Sequence, residues 1–280
     1  LQNLPEVKGT LYIVATPIGN LEDITLRALR ILKEADVIAA EDTRHTKKLL
    51  NFYNITKPLV SYWGPKEKTK AEDIIKLLSQ GKTVALVTDA GTPGISDPGS
   101  EVVKKAAELG YVVVSIPGPS AFAAAISVSG FKGEFYLVGF LPSNTSHRKG
   151  KLEELKYIKS NLVVYESPHR LLQTLVDMIE ILGNREAVLC HELTKFHESI
   201  LRGRLKEIYN RVSGGSVQGE YVIIIKYEQP QEINVSELVK EVFSLMKQGM
   251  KRKEAVKRIA SQYGISQRQL YEETLKEIAK

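Results

Sequence analysis

Five short apolar runs, each followed by an amphipathic stretch of helical period, constrain the first half of this chain more than any other feature. The runs occupy residues 11–15, 37–40, 59–61, 83–87 and 112–116. Helical patterns follow most of them, with Leu26, Leu29 and Leu32 on one face of the first, opened by Asp23 or Thr25 as cap. Regular alternation of strand and helix argues an α/β fold with a largely parallel sheet.

Ligands of such folds sit at the carboxyl ends of the strands. The longest strand-to-helix connection here is 87–99, Val-Thr-Asp-Ala-Gly-Thr-Pro-Gly-Ile-Ser-Asp-Pro-Gly. Its glycines permit close backbone approach, and Pro93 and Pro98 restrict its freedom. A plain connection needs only a few residues, so an ordered loop of this length reads as functional; a punctuated surface loop is the alternative.

Pro117-Gly118-Pro119-Ser120 reads as a hinge into a second α/β unit. Strands are expected at 135–140, 162–165, 187–190, 199–202 and 221–227, with helices at 121–128, 146–159, 171–181 and 205–211. The close spacing of the late strands suggests antiparallel pairing and a mixed second sheet. Glu228-Gln229-Pro230-Gln231 reads as a linker to three short helices at 235–247, 251–263 and 266–279. The expected division is therefore 1–117, 118–228 and a helical extension over 229–280.

The net charge of +6 hints at an anionic partner. Residues 234–280 hold ten Lys/Arg against six Asp/Glu, so the extension carries +4 of it. Lys247, Lys251, Arg252, Lys253, Lys257 and Arg258 cluster there, and Gly264-Ile265-Ser266 resembles the turn of a helix-turn-helix. Phosphate contact and a merely solvated basic face are both open. Cys190 is the sole cysteine, which excludes internal disulfides and thiolate metal clusters and fits a reducing, cytoplasmic setting. Residues 1–6 show no basic n-region or apolar h-region, and the apolar stretch 111–131 is broken by the Pro-Gly-Pro hinge into a strand and a helix, so no membrane association is expected.

Several chemistries lack their motifs. There is no GxxxxGK[ST], no GxGxxG after the first strand, no HExxH and no GxSxG. His191 and His197 have no metal-ligand spacing, so no metal site is expected.

The ordered segments 11–21 with 23–29, Ala40-Glu41-Asp42-Thr43-Arg44, Asp89-Ala90-Gly91-Thr92-Pro93, 117–121, Tyr165-Glu166-Ser167-Pro168-His169-Arg170 and Glu192-Leu193-Thr194-Lys195 resemble the ribosomal RNA small subunit methyltransferase I family. That family has the tetrapyrrole methylase fold. The resemblance implies two α/β domains with S-adenosylmethionine in the cleft between them, usually in a homodimer. It implies 2′-O-methylation of a cytidine ribose of 16S rRNA in the 30S subunit, at the decoding centre.

On that resemblance, Pro17, Ile18 and Gly19 line one wall of the cofactor site. Asp89, Gly91, Thr92, Ile95 and Ser96 line another, and Ser120, Ala121 and Tyr165 complete it. The reaction is displacement at a methyl carbon by a ribose hydroxyl, which a general base assists. Candidates are Asp42, Glu166, Glu192 and Lys195, the last only with a lowered pKa. Asp42 accepts a proton or caps a helix; Arg44 holds a phosphate or pairs with an acid. His169 and Arg170, at a helix start, hold RNA phosphate or a surface partner. Lys251, Arg252 and Lys253 are the further RNA candidates, and Cys190 reads as a core residue. A tetrapyrrole-type small-molecule methylase and a non-catalytic assembly factor are the rival functions.

Overall fold

The computed structural model describes residues 9–62, 67–228, 235–263 and 266–278. Its contacts divide the chain into two compact units, Leu1–Tyr227 and Glu228–Lys280. The first unit holds two five-stranded sheets.

The first sheet comprises β1 (Thr10–Val14), β2 (Val37–Ala40), β3 (Leu59–Ser61), β4 (Val84–Val87) and β5 (Val112–Ile116) in the order β3-β2-β4-β1-β5. Every pairing in it is parallel. All four residues of β2 and of β4 are buried, because helices cover both faces of these inner strands. The two-residue period of a strand divides the side chains between two cores. Val14, Ile38, Ala40, Ala85 and Val87 pack beneath α1 (Leu26–Glu34) and α2 (Thr43–Phe52). Leu11, Ile13, Ala39, Val84 and Leu86 pack beneath α3 (Glu67–Ser79) and α4 (Ser100–Glu108). Of the two cap candidates for α1, Thr25 serves: its hydroxyl accepts from the Ala28 N–H at 3.1 Å, while Asp23 ends a separate 3-10 turn.

Neighbouring strands β1 and β4 send their chains in opposite directions. β1 leads across to β2, and β4 leads across to β5. Their carboxyl ends therefore open a crevice, the usual ligand position in such sheets.

After α5 (Ala121–Ser129), the second sheet comprises β6 (Phe135–Phe140), β7 (Asn161–Glu166), β8 (Glu186–His191), β9 (Ser199–Arg204) and β10 (Tyr221–Ile225), ordered β6-β7-β10-β8-β9. It is mixed, as the strand spacing suggests: β6 and β7 are parallel and the remaining pairs antiparallel. One face packs on α6 (Thr145–Leu155), α7 (Pro168–Leu182) and α8 (Leu205–Ser213), through Leu162, Val164, Leu189 and Ile223. The other packs on α5 through Val163, Val188, Cys190 and Ile224. The helix that follows Pro117–Ser120 thus belongs to the second sheet.

Arg148 and Asp177 form a buried ion pair at 2.7 Å between α6 and α7. Arg148 also donates to the Ser143 carbonyl at 3.1 Å, tying down the loop after β6.

The second unit contains α9 (Val235–Lys247), α10 (Arg252–Tyr263) and α11 (Gln267–Ile278), packed through Val242, Val256, Ile259 and Leu270. The linker residues 229–231 and the Gly264-Ile265 turn read in the sequence lie outside the described residues. No helix among the described residues is long and apolar enough to cross a membrane.

Candidate active site

The crevice is built by stitching the loop after β4 to the end of β1. Thr16 and Gly91 exchange backbone hydrogen bonds, Thr16 N–H to Gly91 O at 2.9 Å and Gly91 N–H to Thr16 O at 3.0 Å. The buried Thr16 hydroxyl donates to Thr88 O at 3.1 Å. Gly91 holds φ +80°, a conformation that a side chain disfavours. Further along, the Thr92 hydroxyl donates to the Pro119 carbonyl at 3.3 Å, tying the loop to the connection between the sheets.

A cavity of about 450 Å³ opens where the two sheets meet. Ile18, Gly91, Thr92, Ile95, Ser96, Ser120, Ala121 and Tyr165, all expected to line a ligand site, line it. Pro17, Gly19 and Asp89, expected in the same set, are not among the lining residues. Asp89 is turned toward the end of β2, where its carboxylate accepts the Asp42 N–H at 3.1 Å. Gly19 packs against the 193–195 loop of the second half; a Cβ there would stand 2.9 Å from the Leu193 carbonyl oxygen.

Asp42 takes the helix-capping role. Its Oδ1 accepts the Arg44 N–H at 2.8 Å, and its Oδ2 pairs with the Arg44 guanidinium at 2.7 Å. The guanidinium holds the Asp42 carboxyl well below the usual carboxylate range, which leaves it a poor base. The Arg44 side chain is 88% exposed, so this ion pair is open to competition from an anion in solvent.

Glu166 lines the cavity and is buried, but its oxygens are occupied. Oε2 accepts from the Thr174 hydroxyl at 2.6 Å and from Arg170 at 3.2 Å, and Oε1 accepts the Ser167 N–H at 2.8 Å. Arg170 spends its remaining reach on the Leu141 carbonyl at 2.7 Å. Its guanidinium therefore braces the loop after β6 rather than facing solvent, because that loop's carbonyls need a donor. His169 is exposed.

Lys195 ties Glu192 at 2.8 Å and Glu220 at 2.9 Å. Burial alone lowers the Lys195 pKa, but the two carboxylates outweigh it and the net shift is upward. That corrects the expectation of Lys195 as a base, which requires the opposite shift. Burial likewise raises Glu192, but Lys195 and the Glu220 N–H reverse the balance and leave it lowered. Glu192 and Thr194 hold φ +51° and +66°, so this turn is kept in a strained conformation by its ion pairs and by Gly19.

In the second unit, Lys251 and Lys253 are exposed, whereas Arg252 lies over the Tyr271 ring at 5.8 Å. Among the described residues no group of three or more His, Cys, Asp or Glu side chains could hold a metal ion.

Sequence reasoning missed Asp97, Phe140, Leu193, Glu220, Tyr221 and Val222 as cavity residues, and it placed Cys190 only in the core. Asp97 lies inside the Gly/Pro loop and was legible there. The register Tyr221↔His191 and Val222↔Cys190 brings the β10 residues to the cavity, and no local motif encodes that pairing. Burial pushes the Cys190 thiol up to about 11.

Residues 10–209 match the model of the tetrapyrrole (corrin/porphyrin) methylases. The solved uroporphyrin-III C-methyl transferase of Thermus thermophilus, complexed with S-adenyl homocysteine, superposes with a TM-score of 0.55 at 23% identity. It covers 77% of this chain and 97% of its own, a likeness of fold. Ribosomal RNA small subunit methyltransferase I of Halalkalibacterium halodurans is 47% identical over 271 residues, 94% of each chain. The protein of that name from Thermotoga maritima is 46% identical over 218 residues, 78% of this chain and 98% of its own. Two linked α/β sheets with a cavity at their junction, matched over this span, define a tetrapyrrole methylase. Within that class, the chain belongs to the ribosomal RNA small subunit methyltransferase I family.

Proposed function

We propose that this protein transfers a methyl group from S-adenosylmethionine to the ribose 2′-oxygen of a cytidine in 16S rRNA, acting in the cytoplasm on the 30S subunit as a homodimer. The observation that carries the reading is 47% identity to the Halalkalibacterium halodurans relative, over an alignment that covers 94% of both chains. The cavity fits the donor on its own terms. Its volume of about 450 Å³ lies in the range of small-molecule sites, and small residues (Ala90, Gly91, Ser120, Ala121) leave room along its wall. Ser120 and Ser167 begin α5 and α7 without capping those helices through their side chains. The positive ends of two helix dipoles thus border the cavity, a favourable setting for the donor's carboxylate.

Ile18, Gly91, Thr92, Ile95, Ser96, Ser120, Ala121 and Tyr165 would hold the donor, whose contribution is an electrophilic methyl carbon. Pro17, Gly19 and Asp89 act from behind this wall by fixing the loops. Glu166 and Arg170 position the loop after β6, and Lys195 positions the 192–195 turn. Arg44 and His169, exposed near the strand ends, and Lys251, Arg252 and Lys253 on the extension are the RNA-facing set; the functional divisions are 1–117, 118–228 and 229–280.

The test is methylation of 30S subunits lacking the modification, with mapping of the product nucleotide. Transfer to one cytidine ribose is expected. Folded protein that binds the donor yet modifies no subunit refutes the reading, and turnover of a tetrapyrrole instead points to a small-molecule methylase.

A further inference from the structure

We propose that a second cavity, at the end of the second sheet away from the crevice, holds a backbone phosphate of the RNA at a distance from the reacting ribose. This rests on the RNA methyl-transfer reading above and adds to it a contact independent of the methyl donor.

The cavity, of about 350 Å³, is walled by the end of α5 and by residues of β8 and β9, with Lys226 just past β10. β8 begins here with Glu186 and reaches the donor crevice at Cys190. Likewise α5 starts with Ala121 at that crevice and ends with Ser129 here. Rises of about 3.4 Å per strand residue and 1.5 Å per helix residue set the two places roughly 12–14 Å apart.

Three cations line the cavity, Lys132, Arg202 and Lys226, against one carboxylate, Glu186. Lys226 pairs with Glu186 and lies over the Phe131 ring at 5.5 Å. Arg202 donates to the Val128 carbonyl in the last turn of α5, where a helix gathers partial negative charge. One guanidinium answers that helix end. Lys132 is exposed, and among the described residues no carboxylate pairs with it or with Arg202. The cavity therefore keeps an excess of positive charge that the fold itself does not use.

Buried hydrogen bonds fix where these cations start. The buried Asn161 side chain donates to the Lys132 carbonyl at 3.0 Å and accepts the Tyr227 N–H at 2.9 Å. It thus joins the turn that carries Lys132 to the strand end that carries Lys226. The Lys226 N–H donates in turn to the Glu186 carbonyl at 2.9 Å. Gly130, at φ +75°, turns the chain out of α5, and a Cβ there would meet nothing within 4 Å, so the wall is open at that point. A guanidinium fork beside ammonium groups matches the several acceptor oxygens of a phosphate. Phe131 offers an apolar surface to the adjoining sugar or base. A free nucleotide carries the same chemistry, and the experiment separates the two sources.

Binding of 30S subunits is measured against salt for wild type, Lys132→Gln, Lys132→Arg and the double variant Lys132→Gln with Arg202→Gln. Lys104→Gln, an exposed lysine outside the cavity, is the control. Adenosine monophosphate and S-adenosylhomocysteine are titrated in parallel. Lys132→Gln should weaken subunit binding roughly fivefold to tenfold at about 0.1 M salt and flatten the slope of log K against log salt by about 0.7–0.9. The double variant should lose more, Lys132→Arg should recover most of the loss, and S-adenosylhomocysteine affinity should not move. Unchanged affinity and slope in the double variant overturn the proposal. An equal loss in Lys104→Gln overturns it too, since general surface charge then explains the effect. Adenosine monophosphate bound by wild type and lost in the double variant, with subunit binding unaltered, makes this a free-nucleotide site instead. Wild-type protein that binds S-adenosylhomocysteine but methylates no subunit overturns the activity reading itself.

Discussion

A Cβ built on Gly19 would stand 2.4 Å from the Cγ of Lys195, closer than any carbon pair tolerates. The loop leaving the first strand and the turn leaving the eighth are thus pressed together across the two sheets of the catalytic unit. Gly19→Ala must displace the Lys195 stem or the Leu193 carbonyl, and overpacking of this kind costs about 1–3 kcal/mol. A lower Tm and weaker S-adenosylhomocysteine binding by calorimetry are expected together. An unchanged binding constant would show that the turn and the cavity are not mechanically linked.

Asp177 and Arg148 are both buried, with the Arg148 Nε–H also donating to Asp177 at 2.7 Å. Asp177→Ala leaves a guanidinium buried without its counter-charge, which typically costs about 3–5 kcal/mol. Chemical denaturation should show that loss with little change in m-value. Replacing both residues by apolar side chains of similar volume should cost much less, since the stranded charge is the main penalty.

Asp36 and Thr83 join the starts of β2 and β4: the Asp36 carboxylate accepts the Thr83 N–H at 2.7 Å and its hydroxyl at 2.8 Å. The backbone N–H and then the hydroxyl of Thr83 depress the Asp36 pKa below its ordinary 3.8. A depressed folded-state pKa contributes stability that is present above the unfolded value and is lost as pH falls through the folded one. Asp36→Asn should therefore be less stable than wild type near neutrality, and the difference should close in acid below pH 3.8. A pH-independent difference in Tm would contradict this.

Cys190 lies in the cavity wall with its thiol pushed up to about 11. At pH 8 only about a thousandth of it is thiolate, and thiolate is the reactive form. Labelling by a disulfide reagent should be slow in the folded protein, fast after denaturation, and slower still with S-adenosylhomocysteine bound. Rapid labelling of folded protein would mean the cavity is open to bulk solvent at this point.

The RNA-facing assignment of the extension predicts a salt signature. Phosphate contacts release counterions, so affinity falls with salt in proportion to the number of contacts. Replacing Lys251 and Lys253 by Gln should weaken 30S binding and flatten its dependence on salt, with methyl-donor affinity unchanged. An unaltered salt slope would remove these lysines from the RNA interface.

Much of the fold was legible because its signals are local. The apolar runs of β2 and β4 read as buried strands, Thr25 stands where a cap belongs, and Pro117–Ser120 falls between the strands of the first sheet and those of the second. The Gly/Pro loop supplies one wall of the cavity, through Ala90, Gly91, Thr92, Ile95, Ser96 and Asp97, since loops at strand ends converge in any parallel sheet. What the chain's own residues settled, then, is which segments are strands, which loops gather, and where the charge lies.

Tertiary structure decided which groups are available for chemistry. Asp42, Glu166 and Lys195 carry suitable side chains, but each is consumed by a partner that folding supplies: Arg44, Thr174 with Arg170, and Glu192 with Glu220. Asp97, by contrast, comes to the cavity wall half-buried, where burial and the Asp89 charge raise its proton affinity. Availability depends on distance and burial between residues far apart along the chain, and a linear string of side chains records neither.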